Sequence, residues 1–201
     1  MYIVIMSAYY LFGGGCIIMA WYSISTRGKW YYILYPRPVV VVSASADGCE
    51  SAMAASWCSP VSRDPPLVMV AIAPTRYTYE LIKSSGEFAI NILDYRFCKE
   101  VNFLGIVSGR DYPDKIERSK LHKIKAKKIK APIIDESTAV LECKLYKEIS
   151  LGGDHVMVIG KVIEAYAKEP LKGIPDIKSY RTLLQLAGTT YTTTITSYIK
   201  Q

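Results

Sequence analysis

Residues 51–91 read SAMAASWCSPVSRDPPLVMVAIAPTRYTYELIKSSGEFAIN, and this stretch decides the fold. Ser51 to Trp57 predicts a strand of small residues. Cys58 to Pro66, rich in Pro and Ser, predicts a loop. Leu67 to Ala73 is an apolar run of strand length. Tyr77 to Ser85 predicts a short helix, closed by Gly86 as its C-terminal cap. Phe88 to Leu93 predicts another strand.

The flanks continue the strand pattern. Upstream, Pro36-Arg37-Pro38 marks an edge, and Val39 to Val42 is a β-branched run that predicts a buried strand. Asp47-Gly48 is a hairpin turn signal that joins this run to the strand beginning near Ser51. Downstream, short helices are predicted at Phe97–Gly105 and Asp114–Leu121. Ala139, Leu141, Cys143 and Leu145 alternate with Thr138, Val140, Glu142 and Lys144, which predicts a half-exposed strand. A longer strand, His155–Ala167, follows the Gly152-Gly153-Asp154 turn, and Leu183–Leu186 and Tyr191–Ile195 close the chain. Strands in hairpin order with few helices predict a mainly β fold, an antiparallel β-barrel with short helical insertions. No Gly-x-Gly-x-x-Gly occurs, and Gly13-Gly14-Gly15 lacks the helix and acidic residue that a dinucleotide site needs.

Composition narrows the class. A chain of 201 residues with 50% hydrophobic and 21% charged residues is globular, and its 16 Tyr favour strands. The formal net charge is +7, part of it in KIERSKLHKIKAKKIK at 115–130. This run lacks interleaved aromatics and any known nucleic-acid module, so it reads as a solvated face and no nucleic-acid partner is expected. The five Cys, at 16, 49, 58, 98 and 143, have no metal-ligand spacing with His122 or His155, and no metal is expected. Free thiols imply a reducing compartment, and a cytoplasmic location is expected. Residues 1–30 read as an apolar extension before a domain at 31–201. Residues 1–22 have the length to cross a bilayer, but the Gly triplet, Ser7 and Tyr9-Tyr10 fit an extension packed on the domain or a partner, or an upstream start codon, at least as well.

Three groups of residues could carry chemistry. Arg76 and Thr78 stand where a helix begins, so free backbone N–H groups, a guanidinium and a hydroxyl could hold an anion. From these residues alone, Thr75 or Thr78 as a plain N-cap with Arg76 solvated is the favoured reading. Ala54 and Ala55 would let a flat ring approach the backbone, with Ser56 and Ser59 offering hydroxyls, Trp57 a wall, and Cys58 lying within the segment. The alternative is ordinary packing of a strand in a barrel. His155, beside Asp154, is either a hydrogen-bonded structural residue or a contact to a redox-active ring.

Tyr35-Pro36-Arg37-Pro38-Val39, the Ser51–Ser62 segment, Asp64-Pro65-Pro66, Thr75-Arg76-Tyr77-Thr78, Gly86-Glu87-Phe88-Ala89-Ile90-Asn91, Leu141-Glu142-Cys143 and Gly153-Asp154-His155 occur in this order. In this the chain resembles the flavin reductase-like family of FMN-binding split barrels over residues 31–195. The resemblance implies an FMN site, with FAD as an alternative, and NAD(P)H as hydride donor. It assigns Ala54, Ala55, Ser56, Trp57, Cys58 and Ser59 to the flavin, Arg76 and Thr78 to its phosphate, and His155 to the flavin–nicotinamide region as the catalytic residue. It also implies a homodimer, and a monooxygenase or redox protein as a further partner. The activity implied is NAD(P)H-dependent flavin reduction; a flavoredoxin-like electron carrier is the alternative.

Overall fold

The computed structural model describes residues 4–12, 15–22, 24–168 and 180–194. The chain divides into two compact units, 1–35 and 36–201. In the first, β1 (Val4–Phe12) pairs antiparallel with β2 (Gly15–Tyr22), and a short 3₁₀ turn covers Trp30–Leu34. The apolar N-terminal stretch is thus two strands where one spanning helix was an option. Among the described residues no helix is long and apolar enough to cross a membrane.

The second unit runs β3 (Arg37–Pro38), β4 (Val40–Ala46), β5 (Cys49–Ala55), β6 (Cys58–Ser62), β7 (Leu67–Ile72), α1 (Tyr77–Ser85), β8 (Glu87–Leu93), α2 (Cys98–Ile106) and α3 (Lys115–Arg118). It continues with β9 (Lys123–Ile124), β10 (Ile133–Ile134), β11 (Ser137–Ser150), β12 (Val156–Ala167), β13 (Leu183–Ala187) and β14 (Thr190–Thr193). Seven strands form one antiparallel sheet in the order β5-β4-β8-β11-β12-β7-β6, and β14-β13-β3 form a small second sheet. The architecture is the split barrel expected from the sequence.

The local signals act where they were read. Asp47 (φ 51°) and Gly48 (φ 78°) close a two-residue turn between paired Ala46 and Cys49. Positive φ at both positions is the turn geometry whose twist matches a hairpin, and Asp-Gly tolerates it. Gly86 sits at φ 70° and donates its N–H to Ile82 C=O at 2.8 Å, ending α1. The Val39–Val42 run is apolar throughout because both faces of β4 are covered. Val40 and Val42 point into the barrel with Met53, Val70, Phe88 and Ile90. Val39 and Val41 join Val101, Leu104, Ile116 and Leu183 in a core beneath α2 and α3.

Two expectations change. Cys58–Ser62, read as loop, is β6, paired with β7 from Cys58↔Val70 to Ser62↔Leu67. Its Pro60 is tolerated because β6 is an edge strand with a register shift between Pro60 and Ser62. The strand at 138–145 is also not simply half-exposed: its pairing with β12 shifts register between Glu142 and Cys143, and both side chains are fully buried. A bulge breaks period-2 alternation, so adjacent residues can both face the interior. Glu142 is satisfied there by the Lys127 N–H (2.8 Å), the Lys128 N–H (2.6 Å) and the Tyr166 hydroxyl (2.9 Å).

Gly160 on β12 is fixed by packing. A Cβ there would lie 2.4 Å from Phe88 Cζ and 3.0 Å from Cys143 Cβ. Gly160→Ala should therefore cost about 1–3 kcal/mol through overpacking. Urea unfolding of the purified variant checks this; an unchanged midpoint would mean that Phe88 can turn aside freely.

Candidate functional site

The chain places several of the sequence candidates around one cavity of about 340 Å³. Arg76, Thr78 and His155 line it, as do Ser51, Lys115 and the Ser108–Arg110 loop. The volume falls at the lower end of the range for small-molecule sites.

Arg76 is the N-cap residue of α1, and no side chain caps the helix. The N-cap reading of Thr78 is therefore not what forms: its buried hydroxyl donates to Ser51 Oγ at 3.1 Å. Arg76 is exposed and reaches Gly105 C=O at 3.3 Å. The open end of α1 thus faces the cavity with a guanidinium beside it, the combination that favours an anion.

Two further cations complete the ring, and neither was singled out from the sequence. Lys115 is 2% exposed and donates to Leu104 C=O (3.0 Å) and Val107 C=O (2.6 Å). Burial, with the charge of Arg76 adding to it, pushes its ammonium down to about 8. The 115–130 run is therefore not wholly solvated; its first residue is carried into the cavity wall by α3. Arg110 donates to Thr75 C=O at 2.8 Å, pairs with Glu80, and lies over the Tyr77 ring at 5.6 Å. Gly109 is buried, and a Cβ there would fall 2.6 Å from Ser51 Oγ and 2.8 Å from Tyr77 Cδ1. The loop can hug the site only because this residue has no side chain.

His155 precedes β12. Its Nδ1 pairs with Asp154 Oδ1 at 2.9 Å, and its ring lies against that of Trp57, centroids 4.7 Å apart at 35°. The His155 hydrogen bond holds the exposed Asp154 carboxyl below its usual range. Both alternatives for His155 thus keep some footing: it is hydrogen-bonded, and it faces the cavity.

Ala54 to Ser59 are arranged differently. Ala54 meets α2, where a Cβ on Gly105 would lie 3.3 Å from its own. Ala55 is buried in the barrel core. The Ser56 carbonyl accepts from Arg37 Nε (3.1 Å) and the Trp57 carbonyl from Ala71 N–H (2.9 Å), so both are already engaged. Ser59 donates its hydroxyl to Pro60 C=O. Burial pushes the Cys58 thiol up to about 11, against the charge of Arg37, which disfavours the nucleophilic thiolate. None of these six lines the cavity; from the same strand, Ser51 and Met53 do. Among the described residues no cluster of His, Cys, Asp and Glu could hold a metal ion.

Comparison with known proteins agrees with this architecture. The flavin reductase like domain family matches residues 32–184. An uncharacterized protein of Aeropyrum pernix is 37% identical over 158 residues, which is 78% of this chain and 60% of that protein, so the chain spans about three fifths of that relative's length. The FMN-binding protein of Thermus thermophilus with bound p-hydroxybenzaldehyde superposes with a TM-score of 0.79 at 25% identity, over 89% of this chain and 99% of that one. Flavoredoxin from Methanosarcina acetivorans superposes at 0.76 with 27% identity, over 89% of this chain and 93% of that one. Fold, motif order and family match coincide over the same residues, and the chain belongs to the flavin reductase-like domain family.

Proposed function

We propose that the protein binds FMN and is an NAD(P)H-dependent flavin reductase. The observation that carries this is the cavity at the open end of α1, where Arg76, Arg110 and the buried Lys115 converge and Glu80 is the carboxylate that pairs with one of them. These donors suit a phosphate monoester, and the close approach of Gly109 and the paired Ser51 and Thr78 hydroxyls suit a small polar group held against backbone. Arg76 and Lys115 would hold the phosphate, while His155, with Trp57 against its ring, borders the side where a flavin ring would lie. Bound FMN would supply the hydride-accepting chemistry; the protein's part is to hold and orient it and to limit access by water.

The reading includes a homodimer. Exposed Val61 on edge strand β6 (51%) and Leu151 (78%) are apolar surface that a second copy would cover. A reducing, cytoplasmic setting fits the free thiols of Cys49, Cys58, Cys98 and Cys143. The competing reading, a flavoredoxin-like carrier reduced by a protein donor, draws on the likeness to the Methanosarcina protein. Anaerobic mixing of the FMN-loaded protein with NADH, then NADPH, separates the two. Bleaching of the flavin band by either donor is expected; no bleaching would leave only the carrier. His155→Ala should slow that bleaching more than it weakens FMN binding, and the reverse would place His155 on the flavin.

The low ammonium position of Lys115 makes binding pH-dependent. Lys115 is charged below about 8 and neutral above it, so its attraction for a dianionic phosphate is present at neutral pH and lost as pH rises. FMN affinity should fall as pH rises from about 7 through about 8 and beyond, and Lys115→Met should bind more weakly with a flatter profile. Fluorescence titration across that range is the check; an equally steep profile in the variant would assign the dependence to another group.

A further inference from the structure

Resting on the reading of this cavity as a phosphate site, we propose that Arg110 is a positioning residue: with Glu80 it forms a latch that fixes the Val107–Arg110 loop against α1 and so sets the preference for phosphorylated over unphosphorylated flavin.

The geometry divides labour among the three cations. Arg110 is committed on three sides, to the Thr75 carbonyl, to the Glu80 carboxylate and to the face of Tyr77. Thr75 immediately precedes Arg76, and Tyr77 and Glu80 belong to the first turn of α1. Arg110 therefore ties the loop to the same helix end that presents its free N–H groups to the cavity. Its charge is largely spent on Glu80, whereas Arg76 and Lys115 have no carboxylate partner among the described residues. The pair that faces the ligand is thus Arg76 and Lys115, a double positive charge matched to a phosphate dianion.

The loop has little freedom once latched. Lys115 ties its first residue, Val107, to the last turns of α2 at Leu104, and Arg110 grips it at the other end. Between them Gly109 is pressed onto Ser51 Oγ and the Tyr77 ring, with no room for a Cβ. Ser51 in turn accepts the Thr78 hydroxyl. Release of Arg110 would let Gly109 lift from Ser51 and widen the site beside the α1 terminus. The Arg110–Glu80 pair is half-exposed, with side chains 42% and 50% accessible, so its effect is on placement of the loop more than on global stability.

The test compares FMN with riboflavin, which lacks the phosphate, on the full chain. Arg110→Ala should speed FMN dissociation about tenfold, the scale of one hydrogen bond to a charged group, and leave riboflavin affinity unchanged. Glu80→Gln should act in the same direction, and the double variant should be no worse than Arg110→Ala alone, because the two residues act as one device. The exchanged pair Arg110→Glu with Glu80→Arg should recover part of the loss. If Arg110→Ala weakens FMN while Glu80→Gln has no effect, Arg110 is a direct phosphate ligand and the latch is wrong. Equal loss of FMN and riboflavin would also overturn it. If the parent protein binds neither flavin, the phosphate reading fails, and amide hydrogen exchange still judges the latch. Faster exchange at 107–112 in Arg110→Ala, with β4 and β8 unchanged, is expected; unchanged exchange would refute the latch independently of any ligand.

Discussion

Asn91→Leu should lower the stability of the fold by about 3 kcal/mol or more. The Asn91 side chain is completely buried and uses both ends of its carboxamide. Its Nδ2 donates to Val41 C=O (3.0 Å) and Ser43 Oγ (2.9 Å), and its Oδ1 accepts the Ile134 N–H (2.8 Å). One side chain on β8 thereby pins β4 and β10 together. Leucine fills a similar volume but leaves the Ile134 N–H without an acceptor inside the core, and an orphaned buried donor costs the full desolvation penalty. For a chain of this size the loss should appear as a drop in melting temperature of roughly 6–12 °C. A variant that melts within a degree or two of the parent would mean that water reaches Ile134 N–H.

Arg76→Ala should weaken FMN binding by roughly 10- to 100-fold, as expected for loss of a charge-assisted hydrogen-bonding group at a phosphate. Riboflavin affinity should be nearly unchanged. The variant should fold normally, because Arg76 is exposed and its single described side-chain bond, to Gly105 C=O, is long at 3.3 Å. Equilibrium titration with both flavins decides the point. An unchanged FMN dissociation constant would move the phosphate to Lys115 alone, and equal weakening of both flavins would place Arg76 on the part of the ligand that the two share. Raising the salt concentration should reduce the difference between parent and variant, since exposed charges are screened over about 8–10 Å at physiological ionic strength.

Short-range signals carried most of the fold. Asp47-Gly48 specified its turn because few residues accept positive φ at two consecutive positions, and Gly86 ended α1 for the same reason. Leu67–Ile72 and Glu87–Leu93 were legible as strands from apolar runs of the right length. Where the pattern misled, a long-range partner had intervened. Pro60 argued for a loop, yet β7 supplied a neighbour and the edge position removed the need for its N–H. Glu142 argued for solvent on its face of β11, yet a bulge turned it inward, and backbone N–H groups from residues 127 and 128, distant in sequence, satisfy it.

The site divides in the same way. By itself the sequence determined the barrel strands, the helix whose open end faces the cavity, and the family motifs that contain Arg76, Thr78 and His155. Those features depend on period, turn chemistry and residue order, all written locally along the chain. Only the tertiary structure decided that Lys115 leaves a run of solvated lysines to become a buried cation, that Gly109 seats against Ser51, and that Arg110 binds back to Thr75 and Glu80. It also decided that the carbonyls of Ser56 and Trp57 are consumed by Arg37 and Ala71. The physical reason is that burial and pairing of a polar group depend on what other segments bring to it. For Lys115 the neighbours that set its charge lie on α2 and at the start of α1, and no pattern within its own segment encodes them.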